Sequence, residues 1–82
     1  MTSAAVKILV VDDEPPIRKL LRVGLGTQGY AIFEAPAAKA ALAIARAEQP
    51  DLVLLDLGLP DMAGHDLLAA WRAEGMQVPV II

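Results

Sequence analysis

Three carboxylates stand where apolar runs stop. Asp12 and Asp13 follow Ile8-Leu9-Val10-Val11 directly, and Asp56 follows Leu52-Val53-Leu54-Leu55. If the two runs are neighbouring strands of a parallel sheet, their carboxyl ends share one edge and the three acids converge. Convergence of like charge is costly. A pair about 4 Å apart repels by roughly 4 kcal/mol at an effective dielectric of about 20, so the cluster requires protons or a cation. The chain has no cysteine and a single histidine, His65, so a metal here has to be held by oxygen. Mg²⁺ fits that demand, because it keeps several waters and binds through one or two carboxylates together with the oxygens of a phosphorylated substrate. In-line phosphoryl transfer asks the protein for positioning and charge neutralisation, and a carboxylate can be the nucleophile. Asp56, alone at its strand end and followed by a glycine-containing loop, is the expected nucleophile. Asp12 and Asp13 are the expected metal holders. An Asp just past a strand is also a common helix N-cap, a role open to Asp12 or Asp13 if a helix begins at Pro15.

Positioning those acids requires strands that alternate with helices. Val6 to Val11 is a short β-branched run of the kind buried on both faces of a sheet. Pro15 and Pro16 fit only the start of a helix, along which Ile17, Leu20, Leu21 and Leu25 recur at helical spacing until Gly26 to Gly29 stop it. Tyr30 to Glu34 predicts a second strand. Pro36 opens an alanine-rich helix with Ala38, Ala41, Leu42 and Ala45 on one face, small enough for close approach to a sheet. A third strand covers Leu52 to Leu55, a loop Leu57 to Gly64, and a helix His65 to Glu74 with Leu67, Leu68 and Trp71 inward. Gly75 ends that helix, and Val78 to Ile82 predicts a fourth strand. Such alternation implies right-handed βαβ crossovers and an α/β fold with a parallel sheet covered by helices on both faces. Ligands of such sheets sit outside the carboxyl ends of the strands.

Composition narrows the function classes. The 82 residues are 56% hydrophobic and 21% charged, which suits one small globular domain and excludes disorder. No run of about 18 apolar residues is present to span a membrane. The lack of cysteine removes disulfide scaffolds, zinc fingers and thiol chemistry. Ten acidic residues against seven basic ones, a net charge of −3 and no basic cluster leave no footprint for nucleic acid on this segment. The apolar run from Val6 meets Asp12 after six residues, too early for the core of a secretion signal, so a cytoplasmic location is expected.

The wording Ile8-Leu9-Val10-Val11-Asp12-Asp13-Glu14, with Pro50-Asp51-Leu52-Val53-Leu54-Leu55-Asp56-Leu57-Gly58-Leu59-Pro60-Asp61-Met62-Ala63-Gly64 further on, resembles the receiver domain of bacterial two-component response regulators. The likeness runs from the first strand to Ile82. It implies a flavodoxin-like, doubly wound parallel sheet in the order 2-1-3-4. It further implies that a sensor histidine kinase passes a phosphoryl group to Asp56. Asp13, Asp56 and the backbone carbonyl of Gly58 would ligate Mg²⁺ directly, with Asp12 acting mostly through water. Pro60 and Gly64 would shape the loop behind the acceptor. Asp-Leu-Gly-Leu-Pro-Asp together with Val-Pro-Val-Ile-Ile is similar to the subgroup that carries a winged-helix DNA-binding domain, and within it to the potassium-transport (Kdp-type) regulators.

Against the family pattern, residues 1–82 read as a receiver fragment truncated after the fourth strand. The family's Ser or Thr after that strand, its aromatic switch residue on a fifth strand and its Lys after it have no match here. Lys7, Lys19 and Lys39 occupy unrelated positions. The expected role is a phosphoryl-accepting signalling domain, not an enzyme, that reaches DNA and controls transcription only through a C-terminal domain outside this segment. Val78 to Ile82 would then be a sheet edge with apolar side chains on both faces, which predicts a homo-oligomer through it. Two other functions compete. One is a receiver fold kept as a non-phosphorylated structural or dimerisation module. The other is a haloacid-dehalogenase-type phosphatase, which needs Asp-x-Asp where this chain has Gly58 two residues after Asp56.

Remaining signals have plainer readings. Gly24 to Gly29 spells GxGxxG but ends a helix instead of opening one, so it predicts a helix stop and not a dinucleotide site. His65 is expected exposed at the start of its helix. Glu14 and Asp61 border the acids and are expected to be solvated loop carboxylates.

Overall fold

The apolar runs form the strands and the helices fill the connections between them. A computed structural model gives the fold for residues 5–82; residues 1–4, inside the domain span expected from the sequence, lie outside the described residues. The elements are β1 (Lys7–Val11), α1 (Pro15–Gly26), β2 (Ala31–Ala35), α2 (Ala38–Glu48), β3 (Leu52–Leu55), α3 (Gly64–Ala73) and β4 (Val80–Ile81). All strand pairs are parallel and the sheet order is β2-β1-β3-β4, the flavodoxin-like order expected from the sequence.

The register separates the two faces. Phe33, Leu9, Val53 and Val80 form one cross-strand row, and Glu34, Val10, Leu54 and Ile81 form the next. Successive side chains point to opposite faces, so these rows lie on opposite sides of the sheet. The Leu9 side is packed by α2 through Ala38, Ala41 and Ala45 and by α3 through Leu67 and Trp71. Each of those five is fully buried, and the alanines let the α2 backbone lie close to the strands. The indole N–H of Trp71 meets no acceptor among the described residues. An unpaired buried donor costs about 1–3 kcal/mol, whereas an aromatic ring burying about 150–250 Å² gains about 4–6 kcal/mol. Packing wins there.

The opposite face is thinly covered. It has α1 alone, a helix with no fully buried residue. Leu21 and Leu25 are half-buried, whereas Ile17 is exposed and Leu20 is 67% exposed. Helical spacing put them on an apolar face, yet the sheet beneath is only wide enough to cover part of it. Beyond α1, a groove of about 420 Å³ runs over Val10, Leu21, Leu54, Ile81 and Ile82 and opens at Asp12 and Asp56.

The fourth strand is shorter than the sequence suggested. Only Val80 and Ile81 join the sheet, opposite Val53 and Leu54. Proline has no N–H to offer, and the Pro79 carbonyl accepts from Val53 N–H at 3.0 Å. Just before it, the Val78 carbonyl is taken by Arg72 at 2.9 Å. Val78 and Val80 pack on the core, while Ile81 and Ile82 are 56% and 64% exposed. The apolar exposure is therefore greatest at Ile81 and Ile82, with Val78 and Val80 half-buried. The glycine-rich stop after α1 is as expected, with Gly29 at φ +90° where the chain turns into β2.

Candidate functional site

β1 and β3 are direct neighbours, with Val11 opposite Leu55. The ladder runs one residue past each strand end, since Asp56 N–H donates to the Val11 carbonyl at 2.9 Å and Asp12 N–H to the Ala35 carbonyl at 3.1 Å. Asp12 and Asp56 are therefore fixed by backbone pairing. Asp12, Asp13 and Asp56 each offer a carboxylate oxygen, and the three oxygens lie within 4.8 Å of one another. Asp12 and Asp56 are half-buried and Asp13 is exposed.

Local hydrogen bonds orient two of the three. Asp12 Oδ1 accepts from Glu14 N–H at 2.8 Å and Asp56 Oδ1 from Gly58 N–H at 3.1 Å. A carboxylate has about four acceptor sites, so each keeps capacity for a cation. Arg18, on α1, donates to the Asp12 carbonyl at 2.8 Å, fixing the backbone between the acids and the helix. Its charge goes elsewhere, to Glu34 on β2, which also receives Arg22. None of the ion pairs among the described residues engages Asp12, Asp13 or Asp56. Three clustered carboxylates without a protein cation suit a hard divalent ion such as Mg²⁺. The capping alternative does not hold, because the N-cap of α1 is Glu14 and makes no side-chain cap bond.

Gly58 stands beside Asp56, and Gly64 is the first residue of α3. A Cβ on Gly64 would lie 2.7 Å from Leu57 Cδ2 and 2.8 Å from Leu57 Cα. Only glycine allows that approach. His65 is exposed on the first turn of α3, as expected. Asp61 departs from its expected role. Though exposed, its two oxygens accept from Ala38 N–H at 2.8 Å and Lys39 N–H at 3.0 Å, at the start of α2. Those backbone bonds, Ala38 first, hold its carboxyl below the usual carboxylate range. The available signal was Ala37, which stands at the N-cap of α2 with no side chain that can cap.

The family model of the response regulator receiver domain matches residues 8–82. The transcriptional regulatory protein KdpE of Mycobacterium tuberculosis is 45% identical over 75 residues, covering 92% of this chain and 33% of that protein. Chemotaxis protein CheY4 of Vibrio cholerae superposes with a TM-score of 0.89 at 30% identity, covering 94% of this chain and 66% of that one. Response regulator TrrA of Thermotoga maritima, solved in complex with Mg²⁺-BeF, gives 0.87 at 36% identity, with 94% and 67% covered. The chain spans about a third of the length of KdpE and most of the other curated relatives it matches. With the acids gathered at the ends of β1 and β3, in a sheet ordered β2-β1-β3-β4, the chain belongs to the response regulator receiver domain family.

Proposed function

We propose that Asp56 accepts a phosphoryl group from a sensor histidine kinase, with Mg²⁺ held by Asp12, Asp13, Asp56 and the Gly58 backbone carbonyl. One observation carries the reading: three carboxylates from the ends of two separate strands meet within 4.8 Å, and among the described residues no basic side chain pairs with them. Mg²⁺, when bound, supplies charge neutralisation for an incoming phosphoryl group. A carboxylate oxygen of Asp56 attacks phosphorus, the bond from phosphorus to the donor nitrogen breaks, and the donor imidazole leaves with the bond's electron pair. Asp12 and Asp13 orient the cation and Asp56 carries the product. The protein that contains this segment is a cytoplasmic regulator of transcription, acting on DNA through a further domain.

Wild-type chain titrated with beryllofluoride in the presence of Mg²⁺, or incubated with acetyl phosphate, is expected to bind or become labelled at one site. Asp56→Asn abolishes both. Retention of either in Asp56→Asn moves the acceptor elsewhere, and failure of the wild type favours a second reading. In that reading the chain is a non-phosphorylated structural or dimerisation module. The exposed Ile81 and Ile82 beside the β4 edge support it, and they support a homo-oligomer through Val78–Ile82 under either reading.

A further inference from the structure

The loop between β3 and α3 is tied at three levels. At its base, Gly64 N–H donates to the Leu57 carbonyl at 3.2 Å. In its middle, Leu59 is buried and Met62 packs against the core. At its tip, Asp61 turns away from the loop and takes the N–H groups of Ala38 and Lys39. Those donors form the first turn of α2. A helix ordinarily receives such a bond from its own N-cap Ser, Thr, Asp or Asn. Here the N-cap is Ala37, extended at φ −156° and ψ 167° and without a capping side chain. The cap arrives from a different loop, as a carboxylate facing the positive end of the helix.

We infer that Asp61 is a positioning residue for the acid cluster: by clamping the loop tip onto α2 it holds the segment from Asp56 to Gly58 where both can reach a cation. The inference rests on the Mg²⁺ reading proposed above and deepens it. The loop that leaves Asp56 is otherwise held by the hydrogen bond at its base and by the non-directional apolar packing of Leu59 and Met62; Asp61 adds two directed hydrogen bonds to α2. Groups that orient metal ligands without touching the metal typically count for 10- to 100-fold in affinity.

Capping and clamping separate because the cap can be returned locally. Ala37→Ser gives α2 a side-chain acceptor at its own N-cap and leaves the loop unclamped. In a titration with MgCl₂ followed by calorimetry, Asp61→Ala is expected to lose about tenfold in Mg²⁺ affinity and to melt at a lower temperature. The double variant Ala37→Ser/Asp61→Ala regains the melting temperature and keeps the weakened affinity, so it carries the comparison even where Asp61→Ala folds poorly. Asp61→Asn, with one acceptor oxygen left, falls between. Wild-type affinity in Asp61→Ala, or recovery of both properties in the double variant, overturns the inference and leaves Asp61 a helix cap. If the wild type binds no Mg²⁺, the proposed function itself fails and the inference goes with it.

Discussion

Gly64 and Gly58 flank the loop that follows Asp56, and their surroundings predict unequal responses to the same methyl group. At Gly64 the added Cβ meets Leu57 Cα at 2.8 Å and the Asp56 carbonyl at 3.2 Å, backbone atoms beside the acid itself. The helix gains roughly 0.5–1 kcal/mol from alanine in place of glycine, but overpacking costs about 1–3 kcal/mol. Gly64→Ala is thus expected to lower stability by about 1 kcal/mol in urea unfolding and to weaken Mg²⁺ binding by displacing Leu57. At Gly58 the nearest atom is Asp56 Oδ1 at 3.8 Å, an ordinary contact, so Gly58→Ala should change stability by less than about 0.5 kcal/mol. Asp61 yields a pH prediction. Hydrogen bonds from Ala38 and Lys39 hold its folded-state carboxyl below the ordinary value of 3.8. A depressed acid contributes stability that is complete above that ordinary value and disappears as pH falls below it through the folded one. Glu74, lowered by its hydrogen bond to Arg46, behaves in the same sense, so the informative quantity is a difference. The gap in melting temperature between wild type and Asp61→Asn should be constant near neutrality and close below about pH 4. A gap that widens with acid contradicts the assignment.

At the scale of elements, the two faces of the sheet bear unequal loads. Leu67 on α3 is fully buried against the core, whereas Leu20 on α1 is mostly in solvent. Leu67→Ala should cost about 2–5 kcal/mol, a large part of the stability of a small domain. Leu20→Gln should cost less than about 0.5 kcal/mol. Chemical denaturation of both variants checks the contrast, with the single buried Trp71 as the fluorescent reporter. The same contrast marks what the sequence could and could not say. β3 is Leu52–Leu55 as the apolar run had it, and the stops at Asp12 and Asp56 put three acids on one sheet edge, because a change from apolar to charged marks where burial ends. Periodicity tells which residues of α1 share a face but not how much sheet lies beneath that face, so it does not separate half-buried Leu21 from exposed Leu20. Nor does a run such as Val78 to Ile82 state how many of its residues find a partner on β3. Asp61 was hidden for a third reason. A cap supplied from across the fold leaves no local pattern, only the lack of a capping side chain at Ala37.

For the molecule as a whole, the question is what the ends of the sheet do. Among the described residues β2 and β4 are the two edges, and they are protected differently. β2 carries Glu34, held by Arg18 and Arg22 from α1, so a charged network lies over that edge. From Val78 to Ile82 the β4 edge has no charged residue, and it ends in the exposed Ile81 and Ile82. Uncharged apolar edges recruit other strands. Pairing β4 to the β2 edge of another copy would propagate without closing, while pairing β4 with β4 about a two-fold axis uses the same patch on both copies and stops at two. Because β2 is guarded, the prediction for residues 1–82 by themselves is the closed dimer and not the open array. Sedimentation velocity should show a weight-average mass rising with concentration toward twice that of one chain and no further. Ile81→Lys places like charges across the two-fold contact and should hold the chain monomeric at the same concentrations. Since the attraction is apolar, raising the salt should leave the wild-type dimer intact while weakening the repulsion in the variant. Growth beyond two chains would mean that the Glu34 network fails to guard β2. A wild type that stays monomeric throughout would show that two paired residues, with the isoleucines beside them, are too small an edge to recruit a partner.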